Sequence, residues 1–103
     1  MNTNFDLFIS ADVFIYVGDL IALFEAVARY ANNGALFIFS TEHMPGNQYK
    51  LQKTGRFAHS KDYITLIAEN FNFQLDYFEK CNLRKENNTW IVGGIYILKN
   101  HQP

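Results

Sequence analysis

Two runs near the start of the chain are apolar at odd and even positions alike. Phe5-Asp6-Leu7-Phe8-Ile9-Ser10 and Ala35-Leu36-Phe37-Ile38-Phe39-Ser40 have almost no polar face to give to water, which predicts strands covered on both sides and therefore parallel ones. Between them Leu20, Leu23, Phe24, Val27 and Ala31 recur at three- and four-residue intervals. That is the stripe of an amphipathic helix, capped by Asp19 and stopped by Asn33-Gly34, which tolerate the left-handed conformation of a helix end. Strand, helix and strand over 5–40 form one right-handed β-α-β unit.

Thr41 to His59 is polar, with Pro45, Asn47, Gln48 and two glycines, and reads as a long surface loop of the kind that serves as a lid or binding loop. Ser60 caps a second helix with Asp62 in its first turn, Ile64, Ile67, Ala68 and Phe71 as its stripe, and Asn72 as its stop. Phe73, Leu75, Tyr77, Cys81 and Leu83 then alternate with polar residues, the pattern of an edge strand with one wet face. Glu86-Asn87-Asn88 makes a turn, and Trp90 to Leu98 returns as a more apolar, more central antiparallel strand. Its Gly93-Gly94 pair predicts a bulge or a close backbone approach. The expected fold class is α/β in one domain over 1–103, with element order β-α-β-α-β-β and spatial order strand one, two, four, three. Two right-handed crossovers running the same way place both helices on one face, which leaves the other face of strands one and two bare.

Composition narrows the class of function. With 49% hydrophobic residues and a net charge of −1, bulk electrostatics draws the chain to neither nucleic acid nor an anionic membrane. At 103 residues a single domain buries roughly 60–70% of the surface of its unfolded chain, a small core that gains from a helper surface. One cysteine, Cys81, leaves no internal disulfide and no Cys-x-x-Cys knuckle, and His43, His59 and His101 lack zinc-site spacing, so no metal is expected. No apolar run reaches the length of a signal core or a membrane span, and the expected compartment is the cytoplasm.

The order of elements, closed by a long hairpin whose last strand is the more buried, resembles the C-terminal half of the class I S-adenosylmethionine-dependent methyltransferases. The resemblance covers nearly the whole chain. Phe5 to Val13 with Tyr16 to Leu20, and Asn33 to Glu42, look like the fourth- and fifth-strand motifs of that fold. Gly55-Arg56-Phe57-Ala58-His59-Ser60 is similar to a Gly-Arg-Tyr-x-His-Ser segment of bacterial methyltransferases often associated with TPR repeats. The family's first strand with its Gly-x-Gly-x-Gly loop, and the acidic residue ending its second strand, have no counterpart before Met1. The resemblance thus implies a partial Rossmann-like methyltransferase sheet lacking the N-terminal cofactor-binding half. It also implies S-adenosylmethionine as cofactor, held weakly or not at all by this chain alone, and a small-molecule or protein methyl acceptor.

In open α/β sheets ligands gather outside the carboxyl ends of the parallel strands. There the resemblance implies cofactor contacts at Ser10, Ala11 and Asp12. Asp12 is the first candidate, with a turn cap as the alternative. Tyr16 is either a substrate-binding ring or a core aromatic. Glu42 and His43, at the end of strand two, are acid-base candidates together with His59 and Asp12; methyl transfer requires a base only where the nucleophile starts protonated. Arg56 is placed to pair with an acceptor carboxylate or phosphate. Against these stand a solvated His43, a solvated Arg56 and a His59 that only ties the loop to the helix. Two further functions compete with methyl transfer. One is a non-catalytic dimerisation module derived from a methyltransferase. The other is weak nucleic-acid binding through residues 41–61, where Lys50, Lys53, Arg56 and Lys61 interleave with Tyr49 and Phe57, a small footprint on a near-neutral domain. The expected partner is a second copy or a separate N-terminal half, either of which covers the bare face and the strand-one edge.

Overall fold

The doubly apolar runs are neighbours in space. In the computed structural model, which describes residues 4–10, 19–53 and 55–101, β1 (Phe5–Ser10) lies parallel to β2 (Ala31–Met44), with Leu7 beside Leu36 and Ile9 beside Ile38. Helix α1 (Ile21–Tyr30) connects them. Asp19 sits one residue ahead of the cap position and accepts a hydrogen bond from the Ile21 amide at 3.0 Å. The helix ends earlier than Asn33-Gly34, at Tyr30, because Ala31 already pairs with Phe5. Gly34, at φ +87°, instead takes up the register shift between Phe5 and Leu7, a backbone position that favours glycine.

The polar stretch after Ser40 is more ordered than its composition predicts. β2 runs on to Met44, and β3 (Tyr49–Leu51) and β4 (Phe57–Ser60) form a small antiparallel hairpin. β4 lies parallel to the end of β2, placing Ala58 beside Glu42 and His59 beside His43. Backbone pairing, which is indifferent to side-chain polarity, wins over composition here, and Ala58, His59 and Ser60 are buried as a result. The observed order is therefore β-α-β-β-β-α-β-β. Helix α2 (Lys61–Asn70) begins where expected, with the Ser60 hydroxyl accepting from the Tyr63 amide at 3.1 Å. β5 (Phe73–Glu86) and β6 (Thr89–Asn100) follow as a long hairpin turning through Asn87 and Asn88, both at positive φ. β6 pairs antiparallel with β2 on one side and β5 on the other, so the spatial order β1, β2, β6, β5 agrees with the sequence reading.

Both helices cover the same side of this sheet. Phe24 and Val27 of α1, and Ile64, Ile67 and Ala68 of α2, pack on Phe37, Phe39, Phe73, Tyr96 and Leu98. The opposite side carries Leu36, Ile38, Ile95 and Ile97, all partly exposed, flanked by Leu7 at 51% exposure, Ile9 at 69% and Tyr77 at 45%. Four strands about 4.8 Å apart with three outward residues each give this side about 400 Å² in all; Ser40, Gln74, Glu79 and Lys99 rim the apolar side chains, which form one contiguous patch of the kind that signals an interaction.

The paired glycines are explained by side chains of β5 that cross β6, one on each face. A Cβ on Gly93 would overlap the body of Leu83, and one on Gly94 would come within 2.8 Å of Phe78. The accompanying bulge sits on β5, between Asn82 and Arg84. Gly93→Ala is expected to cost about 1–3 kcal/mol by overpacking, measured by denaturant unfolding. Leu83→Ala added to it should restore part of that loss; no recovery would mean that the crowding lies elsewhere.

Candidate functional site

The carboxyl ends of β2 and β4 lie side by side, β1 points the same way but stops level with Phe39, and the β5–β6 hairpin runs beside the end of β2. A cleft of about 370 Å³ opens there, lined by Glu42, His43, Pro45, Gln52, Trp90 and Val92 among others. Its apolar wall comes from the hairpin, and its charged floor is Glu42, which is nearly buried on the uncovered side of β2. Glu42 does not stand alone. Arg84 donates to its carboxylate, Arg84 Nε also donates to Glu86 at 3.2 Å, and Glu86 accepts from Arg56. The chain Glu42–Arg84–Glu86–Arg56 ties the hairpin tip to the end of β2 and to the residue before β4. Donation by Arg56 first, and by Arg84 second, holds the Glu86 carboxyl below its ordinary value of 4.5. A carboxyl with a depressed folded-state pKa stabilises above its unfolded value and loses that contribution as pH falls through the folded one. The hairpin tip is therefore expected to loosen at a pH below 4.5, read as faster amide exchange at residues 84–90. Glu86→Gln should show the same exchange at neutral pH, and unchanged protection in that variant would argue against the tie.

The residues singled out in the sequence are not gathered at one point. Ser10 is partly buried at the end of β1, on the helix-covered side beside Phe39. Ala11, Asp12 and Tyr16 lie outside the described residues. His43, next to Glu42 but on the helix-covered side of β2, is half-buried, its ring 5.7 Å from that of Phe78. Burial first, and the charge of Lys80 second, lower its pKa from 6.5. His59 is fully buried among the rings of Tyr49 and Tyr63. That placement joins β3, β4 and α2, and Tyr63 reaches further to accept from the Leu20 amide at the start of α1, at 3.0 Å. Arg56 is engaged by Glu86. Of the loop cations, Arg56 is drawn to Glu86 and Lys61 lies over the Phe78 ring on the helix side, so these two do not line one stripe. Arg84 and Glu86 were missed. Their signal was two opposite charges two residues apart in an alternating strand, hence on one face. Among the described residues no cluster of His, Cys, Asp or Glu could hold a metal ion, and no described helix is long and apolar enough to cross a membrane.

No protein-family model and no curated protein sequence matches the chain. Solved structures do. An S-adenosylmethionine-dependent methyltransferase from Methanosarcina mazei superposes with a TM-score of 0.75 at 15% identity, over 99% of this chain and 62% of that one. The O-methyltransferase of a trans-AT polyketide synthase multienzyme from Brevibacillus brevis, in complex with S-adenosyl-L-homocysteine, gives 0.76 at 9% identity over 98% and 46%. The fold is that of S-adenosylmethionine-dependent methyltransferases. The N-methyltransferase NodS from Bradyrhizobium japonicum, also with S-adenosyl-L-homocysteine, agrees at 0.69 and 15% identity, over 99% and 49%. Against each of these methyltransferases the chain spans less than two thirds of the other's length.

Proposed function

We propose that this chain is the C-terminal, acceptor-side half of an S-adenosylmethionine-dependent methyltransferase, working in the cytoplasm with a complementing N-terminal half seated on its open face and β1 edge. The reading rests chiefly on the superposition of nearly the whole chain on only part of each methyltransferase named above. The segment Gly55 to Ser60 keeps it nearest to the bacterial subfamily associated with TPR repeats. The apolar face, and the side of β1 that has no strand beside it among the described residues, supply the surface such a half needs.

The donor itself fits this chain only at one edge. S-Adenosylmethionine presents an amino acid group, a ribose diol and an adenine, and when bound it supplies an electrophilic methyl on sulfonium. At the carboxyl ends of β1 and β2 the described residues offer Ser10 and the run Thr41 to His43; within it Glu42 is held by Arg84 and Thr41 lies beside the Tyr96 phenol. That set is too small to seat the whole donor. The role left to this chain is to hold and align an acceptor in the cleft between Glu42 and Trp90 and to exclude water with the hairpin.

Calorimetry tests the proposal. Alone, the chain is expected to bind S-adenosylmethionine weakly or not at all; mixed with the N-terminal half of a related methyltransferase, it should bind stoichiometrically. Within that mixture Asp12→Ala should lower cofactor affinity more than His59→Ala does. Tight binding by the chain alone would remove the need for a complement, and separate folded halves with no bound cofactor would favour the association module.

A further inference from the structure

A second cleft, of about 330 Å³, lies on the helix-covered side of β2's end, and its lining includes His43, Lys61, Asp62, Phe78 and Lys80. Three elements bring positive or protonatable groups to it: His43 from β2, Lys61 from the first turn of α2 and Lys80 from β5. Gly94 makes the meeting possible. Without a side chain there, Phe78 lies across β6, bringing its ring within 5.7 Å of the His43 ring and 5.0 Å of Lys61 Nζ. Lys61 is thus laid along the wall of the cleft by its ring contact. His43 lines the cleft with its half-buried ring, whose Nδ1 is turned away from solvent. Against the two lysines and the imidazole stands one carboxylate, Asp62. The N-terminus of α2 adds its positive pole to the same side.

We propose that this cleft binds a phosphate group, with His43, Lys61 and Lys80 as its donors. The cleft adjoins the Glu42 cleft, sharing His43, Met44 and Pro45 with it, but takes its lysines and Asp62 from α2 and β5, and the proposal stands without the methyltransferase reading. The groups that face His43 are Lys80 on β5, Lys61 and Asp62 on α2, and His59 beside it on β4. Lys80 repels the imidazolium in the free protein. A bound phosphate screens that repulsion and adds an attraction, so the two ligation states of the site differ in the proton affinity of His43.

The test is a titration of the full chain with inorganic phosphate at constant ionic strength, following the histidine ring resonances by NMR. The His43 pKa is expected to rise saturably by about one unit, while His101, outside the cleft, stays where it is. In Lys80→Ala the free His43 pKa should already be higher, because the repulsion is gone, and phosphate affinity should fall at least tenfold. Lys61→Ala should weaken phosphate similarly, whereas Lys99→Ala should not. Acetate at the same concentrations should give a smaller shift than phosphate. A non-saturable change, an equal response at His101, an equal response to acetate or unaltered affinity in Lys80→Ala would each overturn the site.

Discussion

Phe24→Ala is expected to cost about 3–5 kcal/mol, a large part of the stability available to a domain of this size. Phe24 is fully buried and its ring meets Phe37, Phe39 and Phe73 within 6.2 Å of each centroid. Phe24 thus joins α1 to β2 and β5 at once, so truncation leaves a cavity that the helix cannot close by a small shift. Ile97→Ala, on the opposite side of the sheet, is expected to cost about 1 kcal/mol or less in the isolated chain, because Ile97 is already partly wet. Its cost should rise towards the 2–5 kcal/mol of a core truncation once a complementing half is bound. Denaturant unfolding of both variants, alone and complemented, reads the contrast. Equal costs in the isolated chain would mean that the open face is already covered.

The second large effect concerns that same face. Without its complement, the chain is expected to cover Leu36, Ile38, Ile95 and Ile97 with a second copy and to sediment as a dimer at micromolar concentration. Ile38→Asp combined with Ile97→Asp should weaken the dimer by about 10³-fold, since each buried charge at the middle of an interface costs about 2 kcal/mol or more. Helix content should be unchanged, because both substitutions lie away from the core. Adding the N-terminal half of a related methyltransferase should dissociate the dimer by competition for one surface. A monomer at those concentrations that also ignores the added half would remove the open face as an interface of either kind.

Most of the sheet was legible because apolar runs, unbroken in the central strands and alternating in the edge strand, are strong signals. Phe5 to Ser10, Ala35 to Ser40 and the Phe73 to Leu98 hairpin announced themselves by which positions are apolar, and Ser60 marked α2 by its hydroxyl. The extension of β2 to Met44, and β3 and β4, were hidden because their pairing is a backbone matter among polar residues. Tyr49, Lys50 and Leu51 alternate over only three residues, too short a run to mark a strand, yet they pair along 57–59. The helix end was misplaced because Asn33-Gly34 is as good a bulge as a helix stop. The polar site was legible only in part. Glu42, His43, Arg56 and His59 were visible as residues, but pairing across long sequence separations decides what each one touches. Arg84 reaches Glu42, and Phe78 reaches His43 over Gly94.

β2 has three neighbours: β1 along its first half, β4 at its end, and β6 on the other side. The β5–β6 hairpin, by contrast, closes through two residues of positive φ, 49° and 64°, a turn whose twist matches the strands it joins. Folding should therefore run against the direction of synthesis. Local contacts form the hairpin within microseconds, whereas Leu36 must wait for Lys99, and Ile38 for Ile97, after a loop closure that only distant contacts repay. While a ribosome is still making β6, β1 and β2 can pair with each other and with β4, but the β6 side of β2 has no strand to lie against. This is the interval in which the nascent chain depends on a chaperone, and slowing translation after Ser60 should lengthen it and lower the soluble yield.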